Sequence, residues 1–178
     1  MPYKRITTTE DSLFQKFWQI YTESFAYIER RDIELQQTAF TSPFYRLDVY
    51  LKKSEVAGFM GYWIFNQYIY VEHFAIARNQ QGTGKGTLMM KTLQQQTKKI
   101  ILLEIEPVVD ETTKRRWLFY EKLGFLKTPH FHLMPVYHPG DDPNVRLDVL
   151  SYPFVIDEAL YNQYDRDMKS IVMVHAGR

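Results

Sequence analysis

The sequence predicts a mixed α/β sheet, and three features of the chain carry that expectation. Tyr45–Lys52 and Val56–Phe65 are rich in β-branched and aromatic residues and turn on Lys53-Ser54-Glu55, which reads as an antiparallel pair. Tyr68–Ala77 is a third strand that runs straight into the glycine loop Gln81-Gly82-Thr83-Gly84-Lys85-Gly86, a helical stretch over Thr87–Thr97, and the apolar run Ile100–Ile105. After a further helix, strands return at Phe125–Val136 and Val145–Leu150. A strand–loop–helix–strand unit between antiparallel segments gives a sheet that is mixed rather than uniformly parallel.

Taken in order, Lys4–Thr8 is a short strand, and Asp11 and Ser12 offer caps for a helix whose Phe14, Phe17, Trp18 and Tyr21 recur at helical spacing. A second helix is expected over Arg30–Thr38, ending before Ser42-Pro43. In the helix after the glycine loop, Leu88, Met89 and Leu93 are expected to face inward. Ile100–Ile105 has the continuous apolar character of a buried, parallel-type strand. Asp110–Leu123 is helical and stopped by Gly124 at the C′ position, and Asp157–Lys169 supplies the last helix.

The 178 residues carry no repeat or linker and are expected to form one domain, residues 1–178. No cysteine is present, so no disulfide, thiolate metal site or cysteine nucleophile is available. The 22 basic and 21 acidic residues nearly cancel, which leaves no electrostatic footprint for nucleic acid. No signal-peptide pattern opens the chain and no window is long and apolar enough to span a bilayer, so a cytoplasmic protein without membrane partners is expected.

Three glycines alternating over five residues allow successive backbone N–H groups to converge on an anion at a helix N-terminus. A phosphate-bearing ligand is therefore favoured over a plain flexible turn. The nucleotide-hydrolase loop fails on spacing, because Gly86 separates Lys85 from Thr87 and no glycine occupies the outer position. A dinucleotide loop needs its third glycine one residue later and should follow the first strand of its unit, although Glu104 lies about where a ribose-binding acid belongs.

The remaining pattern, Q/R-x-x-G-x-G/A, is met at Gln81, Gly84 and Gly86 and resembles the pyrophosphate loop of the GNAT superfamily of N-acetyltransferases. Glu72-His73-Phe74-Ala75-Ile76 before it and Leu102–Glu106 after it stand in the family's order. Leu118-Phe119-Tyr120-Glu121-Lys122-Leu123-Gly124-Phe125 looks like the family's helix-to-strand signature FYxxLGF. The resemblance spans about residues 3–135; the C-terminal stretch resembles only an uncharacterised bacterial subgroup. It implies the acyl-CoA N-acyltransferase fold, with a mostly antiparallel sheet, a splayed central parallel pair and flanking helices.

It also implies acetyl-CoA as co-substrate and direct attack of a primary amine on the thioester without an acyl-enzyme. By resemblance, Gln81, Gly82, Thr83, Gly84, Lys85, Gly86 and Thr87 hold the pyrophosphate. The backbone of Phe74, Ala75 and Ile76 meets the pantetheine arm and polarises the thioester. Tyr120 matches the tyrosine that donates a proton to the leaving thiolate. For the base, Glu72 is favoured over Glu104, Glu106 or water, because strict alternation gives it the parity of Phe74 and Ile76 and places His73 on the other face, where it is read as a hydrogen-bonded strand residue unless a bulge re-aims it. Glu104 and Glu106 alternate and are expected on one face.

The sequence also departs from the family pattern. Thr113 and Arg116 stand where the family often has Asn and Ala, so an asparagine contact to the coenzyme is not expected. Lys114, Arg115 and Arg116 form either a solvated helix face or a site for the coenzyme's 3′-phosphate. His130 and His132 share one strand face, a possible metal pair, but no third ligand is evident and no metal is expected. The acceptor side offers Tyr21, Phe25, Tyr27, Arg30, Arg31, Tyr45, Phe131 and Tyr137, an aromatic cleft suited to a small amine. A protein N-acetyltransferase and a CoA-binding sensor without turnover are the rival readings, and a homodimer is compatible with the family.

Overall fold

The computed structural model describes residues 2–138, 140 and 145–176, with the side chains of residues 175 and 176 left aside. A seven-stranded sheet runs in the order β1-β2-β3-β4-β5-β7-β6. The strands are β1 (Tyr3–Ile6), β2 (Tyr45–Lys52), β3 (Glu55–Ile64), β4 (Tyr68–Ile76), β5 (Ile100–Ile105), β6 (Leu126–Leu133) and β7 (Arg146–Tyr152). Among the described residues only β4 and β5 pair in parallel, and the other ladders are antiparallel. The expected mixed sheet with one central parallel pair is the observed architecture.

Two helical layers cover the sheet. On one face, α1 (Phe14–Ser24), α2 (Ile33–Thr41) and α5 (Glu158–Asp167) enclose a core that includes Phe14, Phe17, Tyr21, Phe59, Trp63 and Tyr164. On the other, α3 (Lys85–Gln96) and α4 (Glu111–Lys122) bury Met89, Met90, Leu93, Tyr120 and Leu123 against Ile101, Leu103 and Ile105. The inward row of α3 thus contains Met90, whereas Leu88, expected inside, is 46% exposed.

Several boundaries follow from local chemistry. Lys53 and Ser54 both take positive φ (49° and 68°), which closes the β2–β3 hairpin on two residues. The second helix begins later than expected because the Asp32 carboxylate accepts from the Leu35 N–H at 2.8 Å and fixes the N-cap there. At the end of α4, Gly124 donates to the Glu121 carbonyl (2.9 Å) and Phe125 to the Tyr120 carbonyl (3.1 Å), a Schellman closure that needs the positive φ of Gly124. The strand expected over Phe125–Val136 is shorter, with a register shift between Lys127 and Phe131 that spans Pro129, which has no N–H to donate.

Beyond α5 the chain continues through wider and tighter turns over Met168–Val172 and Met173–Ala176. Met168, Val172 and Met173 are buried in the core under α2. The helix expected over Asp157–Lys169 includes Met168 but stops short of Val172 and Met173; the regular helix itself ends at Asp167.

Candidate active site

The cleft originates in the register of the parallel pair. β4 and β5 are joined from Tyr68↔Ile100 to Val71↔Leu103 and no further, so the two strands part beyond Val71. From there β4 keeps its ladder to β3, through Gly61↔His73, Met60↔Phe74, Phe59↔Ala75 and Gly58↔Ile76, while its other edge is free. That free edge, Glu72 to Ile76, lines a cleft of about 1030 Å³ together with the glycine loop and the end of β5.

A bulge re-aims the strand where it opens. The β3–β4 register shifts so that Glu72 has no partner between Val71 and His73. Glu72 and His73 consequently both point to the α1/α2 side, while Phe74 and Ile76 pack with the α3/α4 core. The expected shared parity of Glu72 with Phe74 and Ile76 does not hold, because strict alternation fails at an inserted residue. His73 is 3% exposed, with Nε2 2.9 Å from the Glu29 carbonyl and 3.4 Å from the Tyr21 hydroxyl.

Glu72 itself is fully engaged. Arg31 donates to it twice (2.8 and 2.7 Å), and the Trp63 indole N–H (2.8 Å) and Tyr137 hydroxyl (2.8 Å) complete the shell. The Arg31 guanidinium, 0% exposed, also lies 5.6 Å from the ring centres of Tyr45, Trp63 and Tyr137. Burial alone would push the Glu72 carboxyl up, but the Arg31 charge, His73 and these hydrogen bonds outweigh it and hold the acid well below the usual carboxylate range. A carboxylate this acidic, with its lone pairs occupied, is a poor proton acceptor. Of the residues expected to shape the acceptor side, Arg31, Tyr45 and Tyr137 are thus gathered around Glu72. Tyr27, by contrast, is 57% exposed and stacks on His138, and Phe131 is 48% exposed beneath Arg146.

On the opposite wall, Tyr120 stands on α4 between Phe119 and Phe125, 9% exposed, and lines the cleft. Burial pushes its hydroxyl up to about 12, against a smaller opposing pull from Arg116. Glu106 pairs with Arg116 of α4 at 2.7 Å, whereas Glu104 accepts from Tyr164 of α5 at 2.7 Å. The two acids expected on one face therefore lie on opposite faces, since β5 ends at Ile105 and alternation lapses beyond it.

The glycine loop joins β4 to α3 at the far end of the cleft. Gly82 and Gly84 adopt φ of 71° and 77°, the left-handed region that favours glycine, with open space where a Cβ would stand. Gly84 caps α3, whose first internal bond runs from Leu88 to Gly84, so the N–H groups of Lys85, Gly86 and Thr87 have no helical acceptor. Thr83 bridges the Gln80 carbonyl and the Lys85 ammonium, and the Gln81 amide ties back to the Ile76 carbonyl at 3.2 Å. Arg78, Lys85 and Arg115 bring positive charge to the cleft lining, and Arg116 lines it while paired with Glu106. Lys114, by contrast, pairs with Glu111 on the exposed surface of its helix. Thr113, at the family's Asn position, is spent in the α4 cap, where it and Asp110 exchange hydrogen bonds. Together these features form an anion cradle leading into a split in the sheet, with a phenol on one wall and a buried carboxylate network on the other.

The comparisons agree with that geometry. The model of the acetyltransferase (GNAT) family matches residues 11–125, and the chain belongs to this family. A Bacteroides thetaiotaomicron protein assigned to the GNAT acetyltransferases superposes with a TM-score of 0.88 at 26% identity, covering 97% of this chain and 98% of that one. The ribosomal-protein-S18-alanine N-acetyltransferase of Escherichia coli gives 0.63 at 13% identity over 88% and 96% of the two chains. An aminoglycoside 6′-N-acetyltransferase complexed with coenzyme A gives 0.63 at 12% over 89% and 100%. The last two likenesses establish the shared fold alone. No curated protein sequence matches the chain. Among the described residues no helix is long and apolar enough to cross a membrane, and no group of three or more metal-ligating side chains occurs.

Proposed function

We propose that the protein transfers the acetyl group of acetyl-CoA to the primary amine of a small molecule by direct attack. The observation that carries this reading is the parting of β4 from β5 beyond Val71, with a free strand edge that ends on the glycine loop. The residues present suit the coenzyme. Backbone N–H groups from Gly82 to Thr87 would receive the pyrophosphate, helped by the positive end of α3 and by Lys85. Gln81 and Thr83 brace that loop. The exposed backbone of Phe74, Ala75 and Ile76 would pair with the pantetheine arm, and an N–H there would stabilise the oxyanion that forms on the thioester carbonyl.

The two walls then divide the proton work. Tyr120, kept neutral by burial, is positioned to donate to the departing thiolate. Glu72 is better suited to positioning: its bond to Arg31 fixes the bulge from which the free edge begins. In this reading the acceptor enters from the α1/α2 side, and Phe25, Met134 and Tyr137, which line the cleft, would surround it.

Release of free thiol from acetyl-CoA against a panel of small amines and N-terminal peptides tests the reading. Thiol release that depends on a small amine is the expected result. Acetyl-CoA binding without release for any acceptor would favour the sensor reading, and release with peptides alone would move the acceptor class to proteins.

A further inference from the structure

The carboxylates that line the cleft are not equivalent. Glu72 is neutralised by Arg31, and Glu106 by Arg116. Glu23 is exposed and accepts from Gln19, and Glu29 caps the Ala26 N–H. Glu104 differs from all four. Its side chain is 6% exposed, it lines the cleft where β4 and β5 part, and no arginine or lysine pairs with it among the described residues. Its neighbours are the hydroxyls of Tyr164 (2.7 Å) and Tyr70 (3.2 Å) and the Nε2 of His132, which abuts the oxygen that Tyr164 also contacts. The Tyr70 side retains acceptor capacity, since a carboxylate oxygen can take two donors.

A buried anion without a fixed cation is costly unless a charge is brought to it. Resting on the reading of this protein as an amine acetyltransferase, we infer that Glu104 binds the ammonium of the acceptor and, with His132 behind it, takes its proton. In the step, one N–H bond of the ammonium breaks and its proton passes to the Glu104 carboxylate and on to His132. The freed amine nitrogen then attacks the thioester carbonyl, and the thiolate that leaves is protonated by Tyr120. A second N–H bond, on the attached nitrogen, breaks as the tetrahedral intermediate collapses and its proton restores Tyr120. His132, whose side chain is 14% exposed, releases the first proton to water, so charge and atoms balance over the turnover.

The surroundings of this pair are mostly neutral or already matched. Tyr70 of β4 and Tyr164 of α5 are both held protonated by burial, with Glu104 as the next cause. Tyr161 of α5 donates to the Phe131 carbonyl and stacks on His130 of β6, 4.1 Å between ring centres. Asp148 of β7 is paired with Lys127 and Arg146, and Glu72 of β4 with Arg31. Histidine is the side chain suited to accept a proton near neutrality, which none of the tyrosines can do.

Steady-state kinetics of the full chain across pH 6–9.5 tests the pair with His132→Gln and Glu104→Gln. His132→Gln should lower kcat by about 10²-fold near pH 7 and recover toward wild type as hydroxide replaces the lost acceptor. Glu104→Gln should raise KM for the amine at least tenfold and leave KM for acetyl-CoA unchanged. An equal loss of kcat at every pH in His132→Gln, as from a packing defect, would overturn the inference, and so would an unchanged amine KM in Glu104→Gln. If Glu104→Gln does not fold, the pH profile of His132→Gln decides alone. A wild type that binds acetyl-CoA yet acetylates no amine would instead remove the functional reading beneath it.

Discussion

Tyr120 is the residue whose proposed role was most legible, because its place in Phe119-Tyr120-Glu121-Lys122-Leu123-Gly124-Phe125 is fixed by the helix end that follows it. Since burial pushes its hydroxyl up to about 12, the acid stays protonated through pH 10, and wild-type kcat should show no alkaline limb between pH 7 and 10. Tyr120→Phe should lower kcat by roughly 10²-fold with acetyl-CoA affinity retained, measured by thiol release and calorimetry. Glu72 was visible as a residue but not as a role. Its partner Arg31 lies 41 positions earlier, and the bulge that turns its side chain toward Arg31 leaves no mark in an alternating pattern. Arg31→Met should destabilise the fold by about 3–5 kcal/mol in denaturant unfolding, because it strands a buried charge. Glu72 has its folded-state acidity raised, so its stabilisation is present above the unfolded carboxylate value near ~4.3 and fades as pH falls below it. Acid unfolding of Glu72→Gln should accordingly depend less on pH in that range than wild type.

Among the elements, the glycine loop and the helix it starts gave the strongest sequence signal, because few backbones need left-handed residues in alternation. Gly84→Ala should cost about 1–2 kcal/mol in thermal unfolding, as the φ of 77° penalises any Cβ even where space is open. It should also weaken acetyl-CoA binding by turning the α3 N-terminus away from the ligand. Strand positions were legible from composition, and Tyr45–Lys52 and Ile100–Ile105 fall at their expected bounds. Helix boundaries were less so: α2 starts where Asp32 can cap it, a choice between neighbouring polar residues that only the packed structure makes. The outward turn of Leu88 in place of Met90 has the same origin, since a stripe of adjacent apolar residues leaves the rotation of α3 open until β4 and β5 are in place.

For the whole molecule, the cleft is a consequence of topology: one parallel pair, joined for four residues on each strand and then released, set between antiparallel wings. The resemblance to the family foretold that split, whereas periodicity alone could not, because Tyr68–Ala77 reads as one unbroken strand. The C-terminal turns escaped sequence reasoning for the opposite reason. Val172 and Met173 lie past the expected helix and continue no regular period, yet with Met168 they seal the core beneath α2. Met173→Ala should cost about 2–5 kcal/mol in denaturant unfolding, as for other buried large-to-small changes. The central claim is that this cleft is a coenzyme A site, and the most direct measurement is calorimetric titration with acetyl-CoA, NAD and ATP in turn. One acetyl-CoA per chain, weakened by Gly84→Ala and not displaced by NAD or ATP, is the predicted result; binding of NAD or ATP with no heat from acetyl-CoA would contradict it.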